Sequence, residues 1–183
     1  ENAVSEKSMR PLDIVFSRNQ TPVEIGNTDA EGRLLLADVL TYCQESTVKN
    51  DFILDFATLT GAARVALGTE LPALFTNNDS LGDEILNEGL EQVDPMWRLP
   101  LFSPYNKQLD KNNNALSSTG SSGTGGAITA ALFLNRFINK NTNWAHIDLM
   151  AWNTSSRPGF PMGGEAMGLR NIVNMIIQYC SKR

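Results

Sequence analysis

The segment NTDAEGRLLL, residues 27–36, holds the side chains best suited to chemistry in this chain. Asp29 and Glu31 are two residues apart. In a turn or an extended segment that spacing aims both carboxylates to one side, close enough to share one or two divalent cations. Carboxylate oxygen suits hard or borderline ions such as Mg²⁺, Mn²⁺ and Zn²⁺. Arg33 adds a planar fork of donors that can grip a carboxylate-like anion with two hydrogen bonds, and a helix starting here would add partial positive charge. The same residues also have a plainer explanation. Acidic side chains in a first helical turn complement the helix dipole, and Glu31 with Arg33 makes an ordinary surface pair. Spacing alone favours that structural explanation.

The remaining candidates are weaker. His146 is the single histidine, so no HExxH zinc site can be built. Within the apolar stretch WAHIDL it is expected to be a hydrogen-bonded core or interface residue, with Asp148 as its partner two positions on. No G-x-S-x-G context supports a serine nucleophile. The glycine-rich residues 117–126 end at an expected helix start and suggest a phosphate cradle. They lack the lysine of a P-loop and a G-x-G-x-x-G frame, so a flexible connection explains them better. Trp97, Trp144 and Trp152 suit core or subunit contacts, Cys43 and Cys180 suit packing on helices, and Lys49, Asp51, Lys107, Asp110 and Lys111 suit solvated charge.

These side chains need elements to hold them. Strands are expected over residues 11–16, 23–25, 52–56, 71–76 and 144–152. Helices are expected over 32 to about 47, 61–68, 79–93, 127–138 and 165–180. On the first helix Leu35, Val39, Leu40 and Cys43 share a face; on the third, Leu81, Ile85 and Leu86 face inward. Prolines break residues 95–104, and residues 112–126 and 153–164 are loops. Apolar strands alternating with helices predict an α/β fold with a mostly parallel central sheet and helices on both faces, a three-layer sandwich.

Composition narrows the partners. The chain has 183 residues, 42% hydrophobic and 19% charged, which is an ordinary globular balance long enough for one domain with a real core. Its net charge of −5 argues against nucleic-acid binding through bulk charge. No apolar run reaches the length of a membrane span; the cleanest, residues 127–134, stops at Asn135 and Arg136. Two cysteines make no disulfide framework, so a reducing, cytoplasmic compartment is expected. The start Glu1-Asn2-Ala3 carries neither a basic nor an apolar leader, which suggests a processed chain or a piece of something longer.

The eight residues N27-T-D-A-E-G-R-L34 resemble the signature of the leucine (cytosol) aminopeptidase family, exopeptidases with two metal ions. D55-F-A-T-L-T-G-A62, G125-G-A-I-T-A-A-L-F-L134 and W144-A-H-I-D148 are similar to later family segments in the same order, and E1-N2 with P11-L-D-I-V15 to its run-in. The resemblance spans nearly the whole chain and implies the C-terminal portion of the catalytic domain, a fold truncated at its N-terminal side. It implies that Asp29 ligates metal, that Glu31 bridges two Zn²⁺ or Mn²⁺ ions, and that Arg33 holds a bicarbonate-like general base or steadies the transition state. Thr58, Leu59 and Gly61 would line the substrate site, and Met150 the pocket for the first side chain. There Met150-Ala151 departs from the family's smaller Ala-Gly. The family also implies a lysine and two aspartates upstream of residue 27; Asp13 is not one of them. The polypeptide alone is therefore expected to be inert and to bind metal weakly. Peptides with a free N-terminus are the implied substrates and a homo-hexamer the implied assembly, in the cytoplasm. The alternative is a non-catalytic oligomerisation or binding module that keeps the fold.

Overall fold

The computed structural model describes residues 5–45 and 51–182. The expected helix end near Thr47, the run-in at E1-N2 and Lys49 lie outside these described residues. In chain order the elements are β1 (Ile14–Phe16), β2 (Pro22–Glu24), α1 (Glu31–Glu45), β3 (Ile53–Ala57), α2 (Gly61–Leu67), β4 (Ala73–Thr76), α3 (Asp79–Glu91), β5 (Trp97–Arg98), β6 (Leu116–Ser117), α4 (Gly126–Asn135), β7 (Trp144–Asp148), β8 (Trp152–Asn153), β9 (Gly163–Gly164) and α5 (Leu169–Ser181). The class is α/β, with sheets flanked by helices, as expected. Two compact units share the chain. One uses the residues up to Ile53 and Leu101–Thr142, the other Leu54–Pro100 and the residues from Asn143 onward.

In the first unit β1, β2 and β6 form a sheet, with β1–β2 antiparallel and β2–β6 parallel. Helix α4 is apolar on almost every side and buries Ala127 and residues 129–134. Helix α1 packs on α4 and buries Arg33, Ala37, Leu40 and Thr41, while Leu35 and Val39 stand 62% and 55% exposed. The expected inward face is therefore rotated. Gln44 ties α1 to the chain just past α4 by donating to the carbonyls of Leu40 and Phe137 at 2.7 and 2.8 Å.

In the second unit the strand order is β3-β7-β4-β5. The pairing is mixed where a mostly parallel sheet was expected: β4 runs parallel to β5 and antiparallel to β7. Every residue of β7 is buried. A strand covered on both faces is apolar throughout whichever way it runs, so its composition does not report direction. Strand β5 falls where only irregular chain was expected; it is an edge strand between Pro95 and Pro100, a place that tolerates proline. Helix α3 covers β4 and packs on α5. Buried Glu88 of α3 joins the two helices by accepting from the amides of Asn174 and, at 3.0 Å, Gln178.

Candidate active site

The acidic turn is built by a cap. Asn27 is extended, with φ −144° and ψ 128°, and its side chain accepts from the Asp29 amide at 3.0 Å. Thr28–Ala30 then form a 3-10 turn, and α1 begins at Glu31. Asp29 is exposed and Glu31 half-buried. The backbone is thus helical where the two-residue spacing presumed a turn or strand. Residues i and i+2 of a helix do not face each other, so the backbone alone does not aim these two carboxylates to one side.

Arg33 is 8% exposed, and its Nη1 donates to the Ser118 carbonyl at 2.7 Å. Gly26 N donates to Ser118 Oγ at 2.8 Å, and Ser118 N to the Glu24 carbonyl at 2.9 Å. The acidic turn is therefore fastened to the first residues of the glycine-rich loop. Ser118 had no sequence signal: it is one of several serines in a polar run, and only the β2–β6 pairing singles it out.

The second unit carries the other expected residues. Thr58 and Gly61 are exposed, Leu59 is half-buried and Thr60 is buried, in the turn between β3 and α2. Thr60 caps α2 by accepting from Ala63 N at 3.0 Å. Asp148, 2% exposed, accepts from the amides of Leu59 and Thr60 at 3.1 Å each and from the Thr60 hydroxyl at 2.6 Å. Met150 lies two residues past β7 and is half-buried; Ala151 follows with φ 53°.

His146 is a hydrogen-bonded core residue, but its partner is Asp55, at 2.5 Å from Nδ1, not Asp148. Same-face residues two apart on a strand are separated by about 7 Å, whereas a neighbouring strand lies about 4.8 Å away. Asp55 also accepts from the Trp144 indole at 2.7 Å. Trp97 and Trp152 are 59% and 50% exposed and only Trp144 is core. Cys180 is exposed and Cys43 half-buried, so packing does not explain Cys180. Among the described residues no three His, Cys, Asp or Glu side chains cluster so as to hold a metal, and no helix is long and apolar enough to cross a membrane.

The fold and these turns define a mixed α/β protein with its polar, chemistry-bearing residues at helix starts and strand ends. The model of the cytosol aminopeptidase family catalytic domain matches residues 1–173, and the chain belongs to that family. It is similar to the probable cytosol aminopeptidase of Synechococcus sp. (strain WH7803), with 43% identity over 178 residues, 96% of this chain and 36% of the relative. The probable cytosol aminopeptidase of Buchnera aphidicola is 45% identical over 161 residues, 87% of this chain and 32% of its own. Among solved structures, the cytosol aminopeptidase of Coxiella burnetii has a TM-score of 0.92 and 48% identity, covering 97% of this chain and 38% of that one. A tomato leucine aminopeptidase mutant has a TM-score of 0.85 and 37% identity, covering 97% and 34%. The chain thus spans roughly a third of the length of these relatives.

Proposed function

We propose that this chain is the C-terminal portion of the catalytic domain of an aminopeptidase, which releases N-terminal residues from peptides by two-metal hydrolysis. The observation that carries the reading is the capped acidic turn: Asn27 sets the backbone, and Asp29 and Glu31 follow at the start of α1. Both side chains offer the oxygen donors that divalent ions take. Two carboxylates are fewer than two ions need, since each takes at least four ligands. The remaining donors would be the lysine and two aspartates that the family resemblance places upstream of residue 27, and the 183-residue chain alone is expected to be inert.

Asp29 would ligate through its carboxylate and Glu31 would bridge Zn²⁺ or Mn²⁺ ions, which when bound lower the pKa of a water and polarise the scissile carbonyl. Arg33 presents a buried guanidinium whose Nη1 donates to the Ser118 carbonyl; it would hold a bicarbonate-like anion serving as general base or steady the transition state. Thr58, Leu59 and Gly61 would meet the peptide backbone, and Met150 would narrow the pocket for the first side chain. The substrates are peptides with a free N-terminus. The names of the relatives support a cytoplasmic location and the net charge of −5 an absence of nucleic-acid partners; a homo-hexamer would be the assembly that the family resemblance implies.

Glu31→Ala in a chain that includes the upstream ligands is expected to abolish leucine p-nitroanilide hydrolysis. A wild-type rate in that variant would sink the bridging role.

A further inference from the structure

We propose that Asp148 is a positioning residue, whose buried carboxylate sets the shape of the turn at residues 58–61 and so the direction in which that turn offers its backbone. The inference rests on reading this turn as a peptide contact. A carboxylate at the end of a wholly buried strand is costly unless its oxygens are satisfied. The three donors that reach Asp148 all come from this one turn. Oδ1 accepts the amides of Leu59 and Thr60, and Oδ2 accepts the Thr60 hydroxyl proton. That hydroxyl in turn accepts from Ala63 N, so its proton has a fixed direction, toward the carboxylate.

The consequence follows from peptide planarity. In a trans peptide the N–H and the preceding C=O point in opposite directions. With the amides of Leu59 and Thr60 turned in toward Asp148, the carbonyls of Thr58 and Leu59 are turned away from it. Immediately afterwards come Gly61 and Ala62, whose amides, in the first turn of α2, have no acceptor within the helix. Asp148 thereby turns two carbonyl acceptors outward just ahead of the two amide donors at the start of α2, backbone groups of both kinds that a peptide can bond to. Neither Thr58 nor Gly61 touches Asp148 in this network; it acts on them through Leu59 and Thr60.

Amide exchange and amide shifts of the ¹⁵N-labelled 183-residue chain test this, with the tripeptide Leu-Gly-Gly as probe. In Asp148→Ala the Leu59 and Thr60 amides are expected to exchange on the order of 10- to 100-fold faster, while Leu74 and His146 in the β4–β7 ladder keep their rates. Peptide-induced shifts at Leu59 and Gly61 are expected in the wild type and in Thr60→Ser, which keeps the hydroxyl. They are expected to vanish in Asp148→Ala and to weaken in Thr60→Val. Unchanged protection in Asp148→Ala, or peptide shifts that survive with the amides unprotected, would overturn the proposal. Should Asp148→Ala not fold, Asp148→Asn keeps one oxygen for the amides but cannot accept the hydroxyl proton. Full peptide shifts in both that variant and Thr60→Val would overturn it equally. A wild type whose turn shows no peptide shift removes the peptide reading, while the exchange rates still decide what Asp148 holds.

Discussion

Gly26 runs so close to Thr119 that a Cβ placed on it would collide with the Thr119 hydroxyl. The same glycine donates to Ser118 Oγ, and Ser118 in turn receives Arg33. Gly26→Ala must therefore push the loop from the acidic turn or give up one of these bonds, at a cost of about 1–3 kcal/mol. Urea unfolding of the variant checks this; an unchanged midpoint would mean the loop yields freely. Ala151 presents the opposite case. It holds φ 53°, a left-handed conformation that costs a residue with a Cβ about 1 kcal/mol or more, and family resemblance places glycine here. Ala151→Gly is expected to raise the unfolding midpoint slightly, because the relief of native strain exceeds the added freedom of the unfolded chain. At this scale the types of Asp29, Glu31 and Arg33 were legible, but not the burial of Arg33. A guanidinium at a helix start looks like a solvent-facing anion site until Ser118, just past β6, supplies the carbonyl that draws it in.

Glu24 shows how an element end is tied down. Lys111 Nζ lies 2.7 Å from Glu24 Oε1, and Asn113 donates to Oε2 at 3.1 Å, so the turn before β6 is fastened to β2. The hydrogen bond from Lys111, against the opposing effect of burial and with help from Asn113, holds the Glu24 carboxyl below the ordinary glutamate value of 4.5. A carboxyl lowered in the folded state binds its proton more readily when unfolded, so its contribution is complete above that ordinary value and is lost as pH falls through the folded one. The stability difference between wild type and Glu24→Gln is accordingly expected to be constant at neutral pH. It should shrink below about pH 4.5 and disappear once Glu24 is protonated in the fold. A difference that persists unchanged to pH 3 would assign the contact to packing instead of charge. Element identity was largely legible from apolar periodicity and from Gly and Pro punctuation. The inward face of α1 was not, because apolar periodicity follows Leu35 and Val39, which are exposed, while the small Ala37 and Thr41, which it does not pick out, are buried. The antiparallel β7 was not either, since burial on both faces erases direction from a sequence.

The whole chain is laid into two units, each assembled from separate stretches of sequence, and nothing in composition changes where one stretch passes to the next. On the proposed function, metal dependence is likewise a property of more than any one stretch. With Asp29 and Glu31 alone, and no cluster of three ligating side chains among the described residues, a divalent ion gains too few bonds to replace its hydration shell. Affinity near the millimolar level then follows, and ligand stabilisation grows only as RT ln(1 + [L]/Kd). At about 1 mM Mn²⁺ this amounts to roughly 0.4 kcal/mol, or about 1–2 °C in the unfolding midpoint of a chain this size. Calorimetric titration with Mn²⁺ or Zn²⁺ should accordingly show weak binding, and EDTA should leave the midpoint where it was. A chain that supplies the upstream lysine and aspartates should behave differently, with EDTA lowering its midpoint by several degrees and Glu31→Ala removing that sensitivity. Two tight sites on the 183 residues, or a midpoint that drops when EDTA is added to them, would mean that this chain completes a metal centre by itself, and the division of ligands between two stretches of sequence would have to be abandoned.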